Sequence, residues 1–119
     1  MPIKFTNDKP IFIQLAEMLK SQIVSGKYKG NEKLPSVREL ALLYSINPNT
    51  VQKALQILEE NGLIITDRTN GKYVAQNPNL INKQKEKAIQ GEIDIFIDKM
   101  QSLGLSIEEI KNKINSIGE

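Results

Sequence analysis

The chain has 119 residues, of which 39% are hydrophobic and 25% charged, a composition typical of one soluble globular domain with or without a helical extension. It has no Cys and no His, which excludes disulfides, thiolate chemistry and the commonest zinc ligands, so no cofactor is expected. The net charge is +2, and residues 1–78 carry ten Lys and Arg against seven Asp and Glu, an excess too small to establish DNA binding by itself.

The N-terminal residues lack the apolar stretch of a signal peptide, and no segment has the roughly 20 apolar residues of a membrane span. We therefore expect a soluble cytoplasmic protein without a membrane partner. Pro10 is well placed to open a first helix, and Gly26 to end it before a polar loop over residues 27–34. Its apolar residues recur at helical spacing: Phe12, Leu15, Leu19 and Ile23.

Two further helices are predicted after this loop. Ser36 begins the second, with Glu39 at the spacing of a capping box, and its apolar face is Leu40, Ala41 and Leu43. Asn47-Pro48 begins the third, because Asn is a favoured N-cap and Pro a favoured first residue. Its core residues are Val51, Ala54, Leu55 and Leu58, and Gly62 ends it.

A hairpin and a helical tail complete the prediction. Residues 63–66 and 72–75 form two strands around an Asn-Gly turn signal, and Asn77-Pro78-Asn79 is interpreted as a breaker at a domain boundary. Beyond it, one apolar helical stripe runs to Gly104. A second helix begins with the capping box of Ser106 and Glu109.

The order of three helices, a hairpin and a tail is typical of a winged helix-turn-helix. The run LPSVRELALLYSINPNTVQKALQILEENGLI and the preceding KPIFIQLAEMLKSQIVSG resemble the DNA-binding domain of the GntR family of bacterial repressors. The NPNTVQKA segment and the short tail resemble its YtrA-like subfamily. The resemblance covers about Pro10 to Val74. It implies a mainly α, winged helix-turn-helix domain in residues 1–78 and a two-helix dimerisation tail in residues 79–119.

The resemblance also implies a double-stranded DNA operator as the partner. In the family, the residue matching Arg38 contacts DNA, and the first turns of the third helix read bases in the major groove. Many relatives have Ser-Arg in place of Asn47-Pro48, so that family contact is not transferred, and Ser36 and Asn47 are helix caps first. The predicted DNA-binding residues are Ser36, Arg38, Asn47, Asn49, Thr50, Gln52 and Lys53 in the helices, and Thr69, Asn70, Gly71 and Lys72 at the wing tip, where Lys72 would reach a phosphate.

Two departures from the family lie in loops. Gly30-Asn31 stands where Pro-Gly is usual, and Asn tolerates a left-handed backbone. Thr69 replaces the first glycine of the usual Gly-x-Gly wing.

The amphipathic tail is predicted to form a homodimer, because its stripes extend past a domain that already looks complete. A two-fold dimer suits a palindromic operator. The predicted interface residues are Ile89, Ile93, Phe96, Ile97, Met100, Leu103, Ile107, Ile110 and Ile114.

The residues alone leave two other functions possible. A winged helix can serve protein–protein contact, although the polar first turns of the third helix argue against it. A carboxylate enzyme using Glu59 and Glu60, or Asp94 and Asp98, lacks a partner base or nucleophile. A small-molecule effector could bind at the dimer interface, but no residue cluster marks a site.

Overall fold

The computed structural model describes residues 4–118, which form two compact units, one up to Lys85 and the other from Glu86 onward. In chain order the elements are α1 (Ile11–Val24), α2 (Val37–Tyr44), α3 (Pro48–Glu60), β1 (Ile64–Asp67), β2 (Gly71–Val74), α4 (Pro78–Ser102) and α5 (Ile107–Asn115). Helix α4 begins in the first unit and continues in the second. The mainly helical prediction with one small hairpin is confirmed.

The core of the first unit forms where α1 and α2 pack on α3. Its fully buried side chains come from each helix and from the base of the hairpin: Leu15, Leu19, Ile23, Leu40, Val51, Leu55, Leu58, Leu63 and Val74. Burial of each such side chain contributes about 1.5–3 kcal/mol of hydrophobic stabilisation. The stripes predicted for α1 and α3 therefore form the core, except that Phe12 lies at its edge and is only half-buried.

The face predicted for α2 is partly wrong. Leu40 and Ala41 are buried, but Leu43 is 66% exposed. The buried side of α2 is centred between Leu40 and Ala41. Val37 and Tyr44, one turn away on the same side, are half-buried. Leu43 lies about 110° around the helix from the centre of that side, at 100° per residue.

Three helix starts use side-chain caps in this unit. The Ser36 hydroxyl accepts from the Glu39 N–H at 3.0 Å while the Glu39 carboxylate accepts from the Ser36 N–H at 3.0 Å, which confirms the predicted capping box. Asn47 accepts from the Asn49 N–H at 2.8 Å, with Pro48 as the first residue of α3, also as predicted.

The breaker predicted at Asn77-Pro78 is instead the third of these helix starts. The side-chain Oδ1 of Asn77 accepts from the Leu80 N–H at 3.2 Å, and Pro78 is the first residue of α4. The pair is thus the same Asn-Pro start as in α3, since Pro needs no N–H partner at that position.

The hairpin pairs antiparallel, with Ile64 opposite Val74 and Asp67 opposite Gly71, each strand within one residue of its predicted bounds. The loop before α2 adds a short third segment, because Lys33 bridges Tyr73 and the Val74 N–H donates to the Glu32 carbonyl at 2.8 Å. That pairing was not predicted for the polar loop.

The second unit contains the rest of α4 and α5. Gly104, at φ 98°, follows the end of α4, and the Leu105 N–H donates to the Met100 carbonyl at 3.2 Å. Ser106 and Glu109 form the predicted capping box at the start of α5. In the described part of the chain, every helix is too short or too polar to span a membrane.

Candidate nucleic-acid interface

The turn between α2 and α3 sets the start of the candidate recognition helix. Ser45 ends α2 in the left-handed conformation, at φ 55°. The Ile46 N–H then donates back to the Ala41 carbonyl at 3.0 Å, and the Ile46 side chain is half-buried against the core. This turn lets α3 begin two residues later with its cap at Asn47.

Helix α3 has one buried side and one polar side. Asn49, Gln52 and Lys53 are exposed, and Thr50 is half-buried, so the residues predicted to read bases lie outside the core. Lys53 also lies near α1, with its Nζ 5.7 Å from the centre of the Phe12 ring, a favourable cation–π distance. The amide and ammonium groups on this side are the types that pair with base edges.

Arg38 lies exposed on the first turn of α2. Its neighbour Glu39 is held by the helix cap: the Ser36 backbone N–H, the Ser36 side chain and the charge of Lys33 keep the pKa of the Glu39 carboxyl below its usual range. Across residues 4–118, Arg38 makes no ion pair. Its guanidinium is therefore available to an outside anion.

The wing tip is organised by Asp67, a residue that the sequence prediction did not include. Its carboxylate accepts from the Thr69 N–H and the Thr69 hydroxyl, both at 2.9 Å, and from the Asn70 amide at 3.4 Å. The Thr69 N–H is the main cause of the lowered Asp67 pKa. Gly71 has a φ of 104°, whereas Thr69 keeps a negative φ, which explains why the first wing glycine is dispensable here.

Lys72 is half-buried and lies opposite Thr66, one residue pair from the Asp67–Gly71 pair that closes the wing turn. Its Nζ donates to the Glu59 carboxylate of α3 and to the Thr66 hydroxyl, the latter at 2.8 Å. The hydrogen bond from Lys72, followed by one from Thr66, lowers the Glu59 pKa. Because Glu59 and Lys72 are brought together by tertiary packing, no local sequence signal could have paired them.

A groove of about 320 Å³ separates the start of α2 from the wing. Its lining includes three basic residues, Lys33, Arg68 and Lys72, against one carboxylate, Asp67, and it also includes the Ser36 cap. Lys33 and Arg68 were not among the predicted site residues. A surface with this charge and with hydroxyl donors is suited to a phosphate backbone.

The predicted dimer residues lie in the second unit. Most of them are large apolar side chains left open to solvent: Ile89, Ile93, Phe96, Leu103, Ile107 and Ile114 are each more than 40% exposed. Ile97 and Met100 are half-buried. Ile110 differs, because it is only 4% exposed in the single chain and already packs within it.

Helices α2 and α3 form a helix–turn–helix, and the outer side of α3 is polar. The antiparallel hairpin of β1 and β2 follows α3, and this arrangement defines a winged helix-turn-helix protein. Residues 13–74 match the family model described as bacterial regulatory proteins, gntR family. The chain belongs to the GntR family.

Two relatives from Bacillus subtilis (strain 168) match most of their own length. YhcF, described as an uncharacterized HTH-type transcriptional regulator, is 32% identical over 119 residues, which is 100% of this chain and 98% of YhcF. The HTH-type transcriptional repressor YtrA is 33% identical over 115 residues, which is 91% of this chain and 84% of YtrA. This similarity confirms the YtrA-like resemblance.

Solved structures agree with the fold. A GntR family transcriptional regulator from Listeria monocytogenes superposes with a TM-score of 0.88 at 34% identity, covering 95% of this chain and 99% of that one. The AraR DBD in complex with operator ORR3 gives a TM-score of 0.56 at 28% identity, over 63% of this chain and 90% of that one. The chain is therefore a DNA-binding transcription regulator, and its family and relatives are regulators and not enzymes.

Proposed function

We propose that this chain is a cytoplasmic repressor that binds a palindromic double-stranded operator as a homodimer. The observation that carries the proposal is the polar outer side of α3, together with the exposed Arg38 of α2 and the groove between the start of α2 and the wing. Repression is supported by the similarity to YtrA, which is named a repressor. A bound repressor acts by blocking polymerase.

Each predicted contact has a distinct chemistry in this proposal. Asn49 and Gln52 pair with adenine edges, Thr50 contacts a thymine methyl, and Lys53 contacts guanine or phosphate. Arg38 grips a phosphate or reads guanine in bidentate fashion. Ser36 and Asn47 hold the helix starts in place and add a donor near the backbone. At the wing, Gly71 permits close approach, with Thr69 and Asn70 beside it.

The homodimer is proposed to form through the exposed apolar residues of the second unit. Large side chains such as Phe96, 42% exposed, gain stabilisation if a second copy removes them from water. A two-fold dimer places one recognition helix in each half of a palindrome, with half-sites about 34 Å or a multiple apart. Ile110 supports the interface from within its own chain.

Selection of bound sequences from a random double-stranded DNA library tests the proposal most directly. The expected result is a palindromic consensus whose binding weakens steeply as salt rises, since phosphate contacts release counterions. A winged helix that contacts only protein would enrich no consensus and would show no such salt dependence. Placing the selected site over a reporter promoter then tests the sign of regulation, with lower expression expected.

Arg38→Ala is expected to weaken operator binding by about 10- to 100-fold, the equivalent of about 1–3 kcal/mol for one good base or phosphate contact. The measurement is a gel-shift titration at fixed salt. Lys111→Ala, on α5, is the control that removes the same charge from the other unit. Equal affinity for the Arg38 variant and the wild type would contradict the assignment, provided that thermal melting shows both to be folded.

Phe96→Glu is expected to convert the dimer to a monomer in light scattering, because it places a charge within the apolar stripe. Ile95→Glu is the matched control, since Ile95 is a neighbour on α4 that is 51% exposed but lies outside the predicted stripe. A Phe96 variant that remains dimeric while binding DNA normally would place the interface elsewhere.

A further inference from the structure

Three polar side chains, Glu59 of α3 and Thr66 and Lys72 of the wing, form a closed set of hydrogen bonds. Lys72 donates to Glu59 and to Thr66, and the Thr66 hydroxyl donates to the same Glu59 oxygen. Thr66 and Lys72 face each other across the hairpin register, whereas Glu59 belongs to the last turn of α3. The set therefore joins the wing to the candidate recognition helix. We call it the wing latch.

The core end of the wing is held by the buried Val74 and by backbone hydrogen bonds to the preceding loop, such as the one from the Leu34 N–H to the Lys72 carbonyl at 2.9 Å, but the sheet itself has only two four-residue strands. An isolated two-stranded hairpin is marginally stable in water. The side chains of Lys72 and Glu59 are only 24% and 35% exposed, so their pairing is less screened than a surface ion pair. The latch thus adds a side-chain contact between the wing and α3 to the backbone contacts at the core end.

The same contacts bear on the role expected for Lys72. Its ammonium has three N–H donors, of which two are used within the chain, and its charge is matched by Glu59. Contact with a phosphate would bring that anion beside the Glu59 carboxylate, which opposes it. The neighbouring bases Lys33 and Arg68 line the groove without forming an ion pair in residues 4–118.

We propose that Glu59 and Lys72 are positioning residues for DNA binding: their pairing fixes the wing against α3, and Lys72 acts through Glu59 and not on a phosphate. The inference rests on the proposed role of the wing at DNA. Glu59 thereby favours DNA binding through the position of the wing, although its negative charge by itself is unfavourable near a polyanion.

The test compares Glu59→Gln, Lys72→Met and the double variant for operator affinity across a range of salt concentrations. Each single variant is expected to weaken binding by about threefold to tenfold, as for loss of a partly buried pair. The double variant is expected to be no weaker than either single one, because both break the same contact. The salt dependence is expected to keep its wild-type slope, since no phosphate contact is lost. Glu60→Gln, the adjacent exposed carboxylate, is the charge-matched control.

If Lys72 contacts a phosphate, Lys72→Met lowers the salt slope by about 0.9, and Glu59→Gln tightens binding by removing a repulsive charge. Either outcome overturns the proposal, as does unchanged affinity in both single variants.

Hydrogen exchange of the wing amides in the full chain without DNA provides a second measurement. Exchange is expected to be faster in Glu59→Gln and Lys72→Met than in Glu60→Gln or the wild type. This readout needs no operator, so it separates failure of the latch from failure of the proposed function. Wild-type exchange rates in both latch variants would refute the anchoring role.

Discussion

Ser45, in the turn between α2 and α3, has a φ of 55°, a left-handed conformation that L-residues with a Cβ rarely adopt. Asn31 has a similar φ of 68°, but its short amide side chain tolerates this region better. Ser45 is thus the less well suited of the two residues. The strain is maintained by the packing of Ile46 and by the start of α3, both of which need the chain to turn sharply at this point.

Ser45→Gly is expected to raise the free energy of unfolding by about 0.5–1 kcal/mol. Glycine removes a Cβ penalty of about 1–2 kcal/mol but loses more backbone entropy on folding, which offsets part of the gain. Urea denaturation at one fixed protein concentration measures the change. Asn31→Gly is the comparison variant, with a smaller gain expected. A lower urea midpoint for the Ser45 variant would show that the backbone entropy lost by glycine outweighs the strain that it relieves at this position.

At the level of elements, the starts and ends of helices were predicted best, because they depend on residues close together in the chain. Ser36 with Glu39, Asn47 with Pro48 and Ser106 with Glu109 start helices where expected, because each cap is formed by residues at most three apart. Gly62, at φ 77°, ends α3 as predicted, with the Leu63 N–H donating to the Leu58 carbonyl at 3.0 Å.

The features that sequence analysis missed depend on contacts distant in the chain. Lys33 joins the wing by pairing with Tyr73, and Lys72 pairs with Glu59 of another element. The start of α4 at Pro78 was missed for a different reason: the Asn-Pro signal was present, but it was interpreted as a break between domains. The outward position of Leu43 follows from how α2 packs on α3, which the spacing of apolar residues leaves open.

Helix α4 carries one glycine in its interior, Gly91. Apart from its neighbours in the chain and the backbone of its own helix, a Cβ built at this position meets no atom within 4 Å, so alanine fits without a clash. Gly91→Ala is expected to stabilise the helix by about 1 kcal/mol, the difference between these residues in helix propensity. Thermal melting followed by circular dichroism measures the shift. Gly104→Ala is the opposite control, because Gly104 has a φ of 98° at the helix end and alanine is strained there. A lower melting temperature for the Gly91 variant would contradict the expected gain in helix propensity.

At the scale of the molecule, five carboxyl groups within residues 4–118 have a pKa below the usual range, each because of a hydrogen bond that the fold provides. The main donor is the Thr6 side chain for Asp8, the Ser36 N–H for Glu39, the Lys72 ammonium for Glu59, the Thr69 N–H for Asp67 and the Ser106 N–H for Glu109. They include two helix caps, the wing turn and the wing latch. Protonation of these carboxylates at low pH therefore weakens the helix caps, the wing turn and the wing latch together.

Stability is expected to fall as the pH is lowered below about 4, near the ordinary pKa values of Asp and Glu. A carboxyl whose pKa is lower in the folded state than in the unfolded state contributes stability above its unfolded pKa and loses it as the pH falls through the folded one. Unfolding in urea at pH 7 and at pH 3 measures the loss at fixed protein concentration. Glu39→Gln is expected to reduce the difference between the two pH values, because glutamine can still accept the Ser36 N–H but does not titrate. Lys111→Gln, which removes a charge without touching a carboxylate, is expected to leave it unchanged. A wild-type stability that is equal or higher at pH 3 would mean that relief of charge repulsion in the folded chain outweighs the loss of these hydrogen-bonded carboxylates.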